Sequence, residues 1–262
     1  MHISEGFKLI TEMTFMERSL LFARLASIAY SDDTKEVKKQ ANELGFTDIE
    51  FYNRDGAQAY RFQNKDDIVI ACRGTQPSEF NDLKADLKAA PVVAETVGRV
   101  HQGFKDEVDE LWPMVKEDLE AVGKTRKAWF CGHSLGAAMT TIMASRCEDD
   151  ADMPNIEEVY TYGSPRTGWR RFVNSLNCKH QRWVNNNDIV TRVPFAIMGY
   201  KHDGCEHYLD SKGMYRPKIG IIARIIDRWK GMLGGLIKLN IDNFSDHSMV
   251  NYIAYLEKNQ EG

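Results

Sequence analysis

The sequence lacks the features that mark membrane-spanning, secreted or nucleic-acid-binding chains. No apolar run approaches the roughly 20 residues that a membrane-spanning helix needs. The first residues show no basic stretch followed by an apolar one, which a secretory signal would have. The formal charge of −4 gives no electrostatic reason to expect a nucleic-acid partner. We therefore expect a cytoplasmic protein, with export by a signal-independent route as the alternative.

Linkers, repeats and paired cysteines are missing as well. No proline-, glycine- or serine-rich stretch divides the 262 residues, and no segment repeats. This length and organisation predict a single domain over residues 1–262. The five cysteines are odd in number and show no metal-type spacing. We expect reduced thiols, no metal, no organic cofactor and a monomeric protein.

What is present is an alternation of strand and helix patterns. Residues 16–30 carry apolar side chains at helical spacing, and 104–122 form a long amphipathic helical pattern. Residues 68–72 are nearly all apolar, which is typical of a central strand covered on both faces. Further strands are predicted at 159–163 and 183–185. The alternation predicts an α/β fold with a mainly parallel central sheet flanked by helices, and with functional residues at the carboxyl ends of the strands.

One stretch of this pattern points to chemistry. Gly132-His133-Ser134-Leu135-Gly136 lies between an apolar strand and a helix of small residues. A G-x-S-x-G sequence in a strand–turn–helix context is typical of the nucleophile elbow of an α/β-hydrolase. The two glycines allow the strand and the helix to approach closely at the serine. Ser134 is therefore the candidate nucleophile.

A serine nucleophile needs a histidine base and a carboxylate that orients it. In this fold the chain order is serine, acid, histidine. Asp188 follows a predicted strand and is the candidate acid. Four histidines lie downstream of Ser134: His180, His202, His207 and His247. His247 is preferred because it lies in a loop before a terminal helix and can reach back over the sheet. His180 precedes the acid and so has the wrong chain order. His202 and His207 stay open as alternatives.

Several motifs together resemble the class 3 (fungal-type) lipase family, in particular its bacterial members. The matching segments, in chain order, are residues 70–75, 100–104, 162–168, 185–194 and 246–248. They are Ile-Ala-Cys-Arg-Gly-Thr, Val-His-Gln-Gly-Phe, Tyr-Gly-Ser-Pro-Arg-Thr-Gly, an acid loop and a histidine loop. Ala137 departs from the family, which usually has glycine there. The resemblance implies an α/β-hydrolase fold with a lid segment after the oxyanion strand.

The resemblance also implies roles for individual residues. Ser134 corresponds to the nucleophile, Asp188 to the orienting acid and His247 to the general base and acid. The backbone amides of Thr75 and Leu135 would hold the oxyanion, and the Thr75 hydroxyl would be a third donor.

The family's lid corresponds to residues 76–98 of this chain. Within it, Phe80, Leu83 and Leu87 form a narrow apolar stripe on an otherwise charged helical pattern. We expect these side chains to contact substrate or a lipid interface. The narrow stripe predicts little interfacial activation.

Three further features leave their roles open. His101 is expected either near the pocket or, preferably, as a packed and hydrogen-bonded histidine. Arg166 is expected to tie loops together through a carboxylate. Residues 218–239 form a basic amphipathic pattern, read first as a helix packed on the core or walling the acyl pocket, and second as a helix on a membrane surface.

The function expected from these observations is hydrolysis of carboxylic esters through an acyl-enzyme. A triacylglycerol lipase acting on acylglycerols is preferred, with other ester lipids possible substrates. A phospholipase A1 or a short-chain carboxylesterase would share the same residues. A non-catalytic binding protein of hydrolase fold is the remote alternative.

Overall fold

The computed structural model describes residues 7–74, 90–220, 223, 227 and 245–260. Its strands are β1 (Asp48–Arg54), β2 (Ala57–Gln63), β3 (Asp67–Cys72), β4 (Pro91–Val93), β5 (Arg99–His101), β6 (Lys127–His133), β7 (Ile156–Tyr162), β8 (Gly168–Trp169), β9 (Lys179–Asn185), β10 (Tyr200–Lys201), β11 (Cys205–Leu209) and β12 (Tyr215–Arg216). The α-helices are α1 (Phe15–Ile28), α2 (Thr34–Glu43), α3 (Gln102–Val122), α4 (Leu135–Asp149), α5 (Arg170–Val173) and α6 (Met249–Lys258).

The central sheet has eight strands in the order β1-β2-β3-β6-β7-β9-β11-β12. Its five middle strands, from β3 to β11, run parallel, whereas the pairs at both edges are antiparallel. The prediction of a mainly parallel sheet flanked by helices is confirmed. Because parallel strands end at the same edge of a sheet, the residues after β6 and after β9 lie close together. Ser134 and Asp188 follow these two strands.

Helices cover both faces of this sheet. The side chains of Ile68 and Ile70 in β3 belong to the core beneath α3 and α4. Val69 and Ala71 of the same strand belong to the core beneath α1 and α6. Successive side chains of a strand point to opposite faces, so both faces of β3 require apolar residues. Each aliphatic side chain buried in this way contributes about 1.5–3 kcal/mol.

Helix α1 begins at a capping box and ends close to the candidate site. The Thr14 hydroxyl accepts the amide of Glu17 at 3.3 Å, and the Glu17 carboxylate accepts the amide of Thr14 at 2.6 Å. The Tyr162 hydroxyl of β7 donates to the carbonyl of Ser19, which fixes the helix against the sheet. Tyr30, which follows the helix, is thereby held near the carboxyl end of β6.

A second, smaller sheet was not predicted. It has the order β10-β8-β5-β4, and β4 pairs antiparallel with β5 through Pro91 opposite His101. Residues 91–93 of the lid predicted at 76–98 form β4, and residues 76–89 lie outside the described residues, so the lid stays a prediction. The assignment of 1–262 to one domain stays a prediction.

Candidate active site

Ser134 lies at a strained turn between β6 and α4. Its backbone has φ 59° and ψ −131°, a region that residues with a side chain rarely adopt. Gly132 and Gly136 make the turn possible: a Cβ on Gly132 would lie 2.5 Å from the carbonyl oxygen of Gly136, and a Cβ on Gly136 would collide with the carbonyl of Cys72. The spacing of the two glycines therefore has the physical cause that the sequence predicted.

The Ser134 hydroxyl is buried and makes no hydrogen bond to any residue that the structure describes. A buried hydroxyl without a partner is unfavourable for stability, which agrees with the selection of Ser134 as the candidate nucleophile. Leu135 begins α4 immediately afterwards. The amides of a first helical turn have no partner within the helix and are available to a negatively charged oxygen.

Asp188 and His247 form a buried pair. The Nδ1 atom of His247 donates to the two carboxylate oxygens of Asp188 at 3.0 and 2.9 Å. Asp188 also accepts the hydroxyl of Tyr252 at 2.8 Å and the amide of Val190 at 3.0 Å. Because Nδ1 carries its hydrogen toward the acid, the ring lone pair of His247 lies on Nε2, the atom that a base requires.

Gly163 leaves room for this pair. It follows β7 with φ 59°, and a Cβ there would lie 2.7 Å from both Asp188 Oδ2 and His247 Nδ1. The backbone at residue 163 therefore forms one wall of the acid–base pair. The sequence motif contains Gly163, but the motif alone did not show why a glycine is needed at this position.

Tyr252 holds the acid from the terminal helix. Its hydroxyl accepts the amide of Asn185 at 3.0 Å while it donates to Asp188. Burial, together with the charge of Asp188, raises the pKa of Tyr252 well above its usual range, so the hydroxyl stays a donor at neutral pH. No motif in the sequence singled out this residue.

The other histidines considered for the base are occupied elsewhere. His180 bonds to Asp203 at 2.9 Å and to the Thr161 hydroxyl at 2.7 Å. His202 bonds to the carbonyl of Thr191, and burial beside Arg182 lowers its pKa to about 2. The ring nitrogens of His207 contact Tyr215 and Gln181. These three side chains are structural, which favours His247.

A hydrogen-bonded bridge joins the elbow to the loop of His247. Nε2 of His133 donates to the carbonyl of His247 at 2.7 Å, which makes Nδ1 of His133 the acceptor of the Tyr30 hydroxyl at 2.8 Å. Burial, with His247 nearby, lowers the pKa of His133 well below its usual value, so its ring is neutral. A Cβ on Gly74 would lie 2.5 Å from the Tyr30 oxygen and 3.1 Å from the Ser134 Cβ. Tyr30 therefore lies against the residues after β3 and is joined, through His133, to the loop of His247.

His101 is packed, as expected, but it lacks the hydrogen bonds that were expected for it among the described residues. Its ring stacks on Phe104 with centroids 4.2 Å apart, and neither ring nitrogen has a partner among the described residues. Burial lowers the pKa of His101 to about 4. Arg166 does tie loops together, but through the carbonyls of Arg192 and Pro194 rather than through a carboxylate.

Several predicted site residues lie outside the described part of the chain: Thr75, Phe80, Leu83, Leu87 and most of 218–239. Among the residues that the structure does describe, no group of three His, Cys, Asp or Glu side chains could hold a metal ion. None of the helices in those same ranges combines the length and the apolar composition needed to cross a bilayer.

Comparison with known proteins agrees with this geometry. Residues 69–198 match the family model described as lipase (class 3). The chain is 34% identical to secreted mono- and diacylglycerol lipase 1 of Fusarium solani over 71% of this chain and 57% of that protein. It is 27% identical to toxin TseL of Vibrio cholerae over 68% of this chain and 34% of that protein. The chain thus spans about a third to three fifths of the length of these two curated relatives.

The fold is similar to that of a solved fungal enzyme. The structure of the Rhizomucor miehei triacylglyceride lipase matches with a TM-score of 0.61 at 24% sequence identity, over 75% of this chain and 82% of that chain. At this identity the likeness supports the α/β-hydrolase fold and nothing finer. The match of residues 69–198 to the family model, a range that contains the motifs around Ser134 and Asp188, shows that the chain belongs to the class 3 lipase family.

Proposed function

We propose that this protein is a serine hydrolase of carboxylic esters, with acylglycerols as its substrates. The observation that carries the proposal is the buried His247–Asp188 pair, bonded at 2.9 Å, on the loops that meet the strained turn of Ser134. A buried hydroxyl at the elbow, with an imidazole that a carboxylate orients on a neighbouring loop, is suited to attack a carbonyl carbon.

In the proposed reaction, Nε2 of His247 takes the proton of Ser134 while the serine oxygen attacks the ester carbonyl. Asp188 keeps the imidazole in the required tautomer and stabilises its positive charge. The imidazolium then gives its proton to the departing alcohol, which leaves an acyl group on Ser134. A water molecule, activated by the same histidine, releases the fatty acid and restores the serine.

The oxyanion formed in both steps needs donors that are in place beforehand. We assign this role to the amides of Leu135 and Thr75, with the Thr75 hydroxyl as a third donor. The position of Leu135 at the start of α4 supports its part. Loss of one such donor typically lowers the rate by about 10²–10³.

The substrate class is inferred from the relatives. One of them is named a mono- and diacylglycerol lipase and another a triacylglyceride lipase. We propose a triacylglycerol lipase that works as a monomer in the cytoplasm. The five cysteines, all free, support a reducing compartment.

Hydrolysis assays with a matched variant test this proposal. Nitrophenyl esters of increasing chain length, a triglyceride emulsion and a phospholipid emulsion are offered to the wild type and to Ser134→Ala. The wild type should cleave the long-chain esters and the triglyceride, and Ser134→Ala should cleave none of them. Preference for the phospholipid or for short esters alone would identify a phospholipase A1 or a carboxylesterase. If the wild type hydrolysed none of these substrates, the result would favour the alternative of a non-catalytic binding protein.

A further inference from the structure

The loop that carries Asp188 ends in a tip of exposed apolar side chains. Residues 195–198 read Phe-Ala-Ile-Met, and all four are exposed. Ile197 is 95% exposed and Phe195 62% exposed. Large apolar side chains that are exposed consecutively contribute nothing to the core, so they mark a surface that contacts something else.

A groove separates this tip from the turn between β4 and β5. The groove has a volume of about 730 Å³, and its walls are Val93 and residues 96–99 on one side and residues 197–199 on the other. Val93 is 66% exposed. The Trp169 ring also lines the groove, with the guanidinium of Arg99 at 5.5 Å from its centre. The surface is thus apolar on both sides of an open groove.

The same surface is basic, although the chain as a whole carries a formal charge of −4. Arg99, Arg170 and Arg171 line the groove, Arg166 and Arg192 lie on the other side of the tip beside Glu206, and the exposed Lys201 follows the tip in β10. In the described part of the chain none of these six forms an ion pair with a carboxylate, since Arg166 and Arg99 bond to carbonyls instead. The range 93–99 also contains the acidic Glu95, whose carboxylate pairs with Arg146 and Lys105. We call this surface, residues 93–99, 166–171 and 192–201, the arginine face.

We propose that the arginine face docks on a lipid surface rich in anionic headgroups. Ile197 and Phe195 would enter the acyl region, while the exposed arginines and Lys201 contact phosphates. Unpaired basic side chains beside exposed apolar ones are the combination that peripheral membrane binding uses. A second copy of the chain fits poorly, because two such faces would repel each other. A small soluble anion would leave the apolar tip without a function.

This inference goes beyond the proposed hydrolysis, because it concerns where the protein binds rather than what it cleaves. Its residues differ in sequence from 218–239 and, apart from 93–98, from the lid predicted at 76–98.

Vesicle sedimentation tests the proposal without any turnover. The Ser134→Ala protein is mixed with vesicles of phosphatidylcholine alone, or with about a third of phosphatidylglycerol, at low and high salt. We expect binding to the anionic vesicles that weakens as salt rises. Phe195→Ser with Ile197→Ser should weaken binding roughly tenfold or more. Arg170→Gln with Arg171→Gln should also weaken it roughly tenfold or more.

Matched variants on other surfaces serve as controls. Lys35→Gln with Lys38→Gln removes two exposed charges from α2, and Val250→Ser removes a side chain that is 72% exposed on α6. Thermal unfolding of each variant checks that it is folded. Equal binding to both kinds of vesicle, or controls as weak as the face variants, would overturn the proposal. So would a dimer in solution that Ile197→Ser dissociates while vesicle binding persists. Ester hydrolysis is measured separately on proteins with Ser134, so a failure of docking and a failure of the proposed function give different results.

Discussion

At the scale of single residues, the candidate site depends on side chains that hold the reacting groups. The carboxylate of Asp188 is buried and receives hydrogen bonds from His247, Tyr252 and the amide of Val190. A buried carboxylate keeps its charge and its orientation only while such donors satisfy it. Tyr252 is therefore a positioning residue, which acts on His247 through the acid.

The Tyr252→Phe variant tests this role. A hydrogen bond to a charged group stabilises it by about 1.5–3 kcal/mol, and the variant lacks this bond to Asp188. We therefore expect kcat to fall roughly tenfold or more with little change in KM. A less stabilised carboxylate attracts the proton of His247 more strongly, so the acidic limb of the kcat/KM profile should move to higher pH. Tyr255→Phe, on the same helix, is the control. An unchanged pH profile in Tyr252→Phe, even with lower stability, would limit Tyr252 to a structural role.

At the scale of elements, three loops meet because their strands end at one edge of the sheet. The acid loop and the base loop are joined by Asn185, whose side chain donates to the carbonyl of Asp246 at 2.9 Å. The third loop begins at Gly163, whose backbone faces both members of the acid–base pair. A change at residue 163 should therefore disturb catalysis directly.

Gly163→Ala is expected to abolish most activity, because its Cβ would displace Asp188 or His247. Gly123→Ala is a matched control: its φ of 48° is similarly positive, yet a Cβ there would meet nothing within 4 Å. Both variants carry the backbone strain of a positive φ, about 1 kcal/mol. Only the first should lose kcat. Comparable kcat values in the two variants would show that the space at residue 163 is not needed for catalysis.

Much of this arrangement could be predicted from sequence, for identifiable reasons. The central strand at 68–72 is almost entirely apolar, which is typical of a strand covered on both faces. The glycines at 132 and 136, on either side of Ser134, have the spacing of a nucleophile elbow between a strand and a helix. The small second sheet could not be predicted, because its strands have two or three residues and no periodicity. Tyr30 and Tyr252 were missed because their contacts join residues that are far apart in the chain.

At the scale of the whole molecule, the buried histidines predict acid sensitivity. Burial lowers the pKa of His101 and of His207 to about 4, against about 6.5 in an unfolded chain. The folded state therefore binds fewer protons, and stability is lost as pH falls below about 6.5. At pH 5 each residue should contribute a loss of about 2 kcal/mol.

Urea unfolding at pH 7 and pH 5 measures this loss. The wild type should unfold at a lower urea concentration at pH 5, and His207→Gln should show a smaller difference between the two pH values. Equal pH dependence in the His207→Gln and wild-type proteins would contradict the assignment of a lowered pKa.

The measurement that tests the central claim most directly is covalent labelling by a fluorophosphonate, with the modified residue located by mass spectrometry. If Ser134 is activated by His247 and Asp188, the label should lie on Ser134, and Ser134→Ala should take up none. His247→Ala should label at least about 10³ times more slowly, whereas His202→Ala should label at a rate close to that of the wild type. A label on another residue, or a loss of labelling in His202→Ala with full labelling in His247→Ala, would contradict the account.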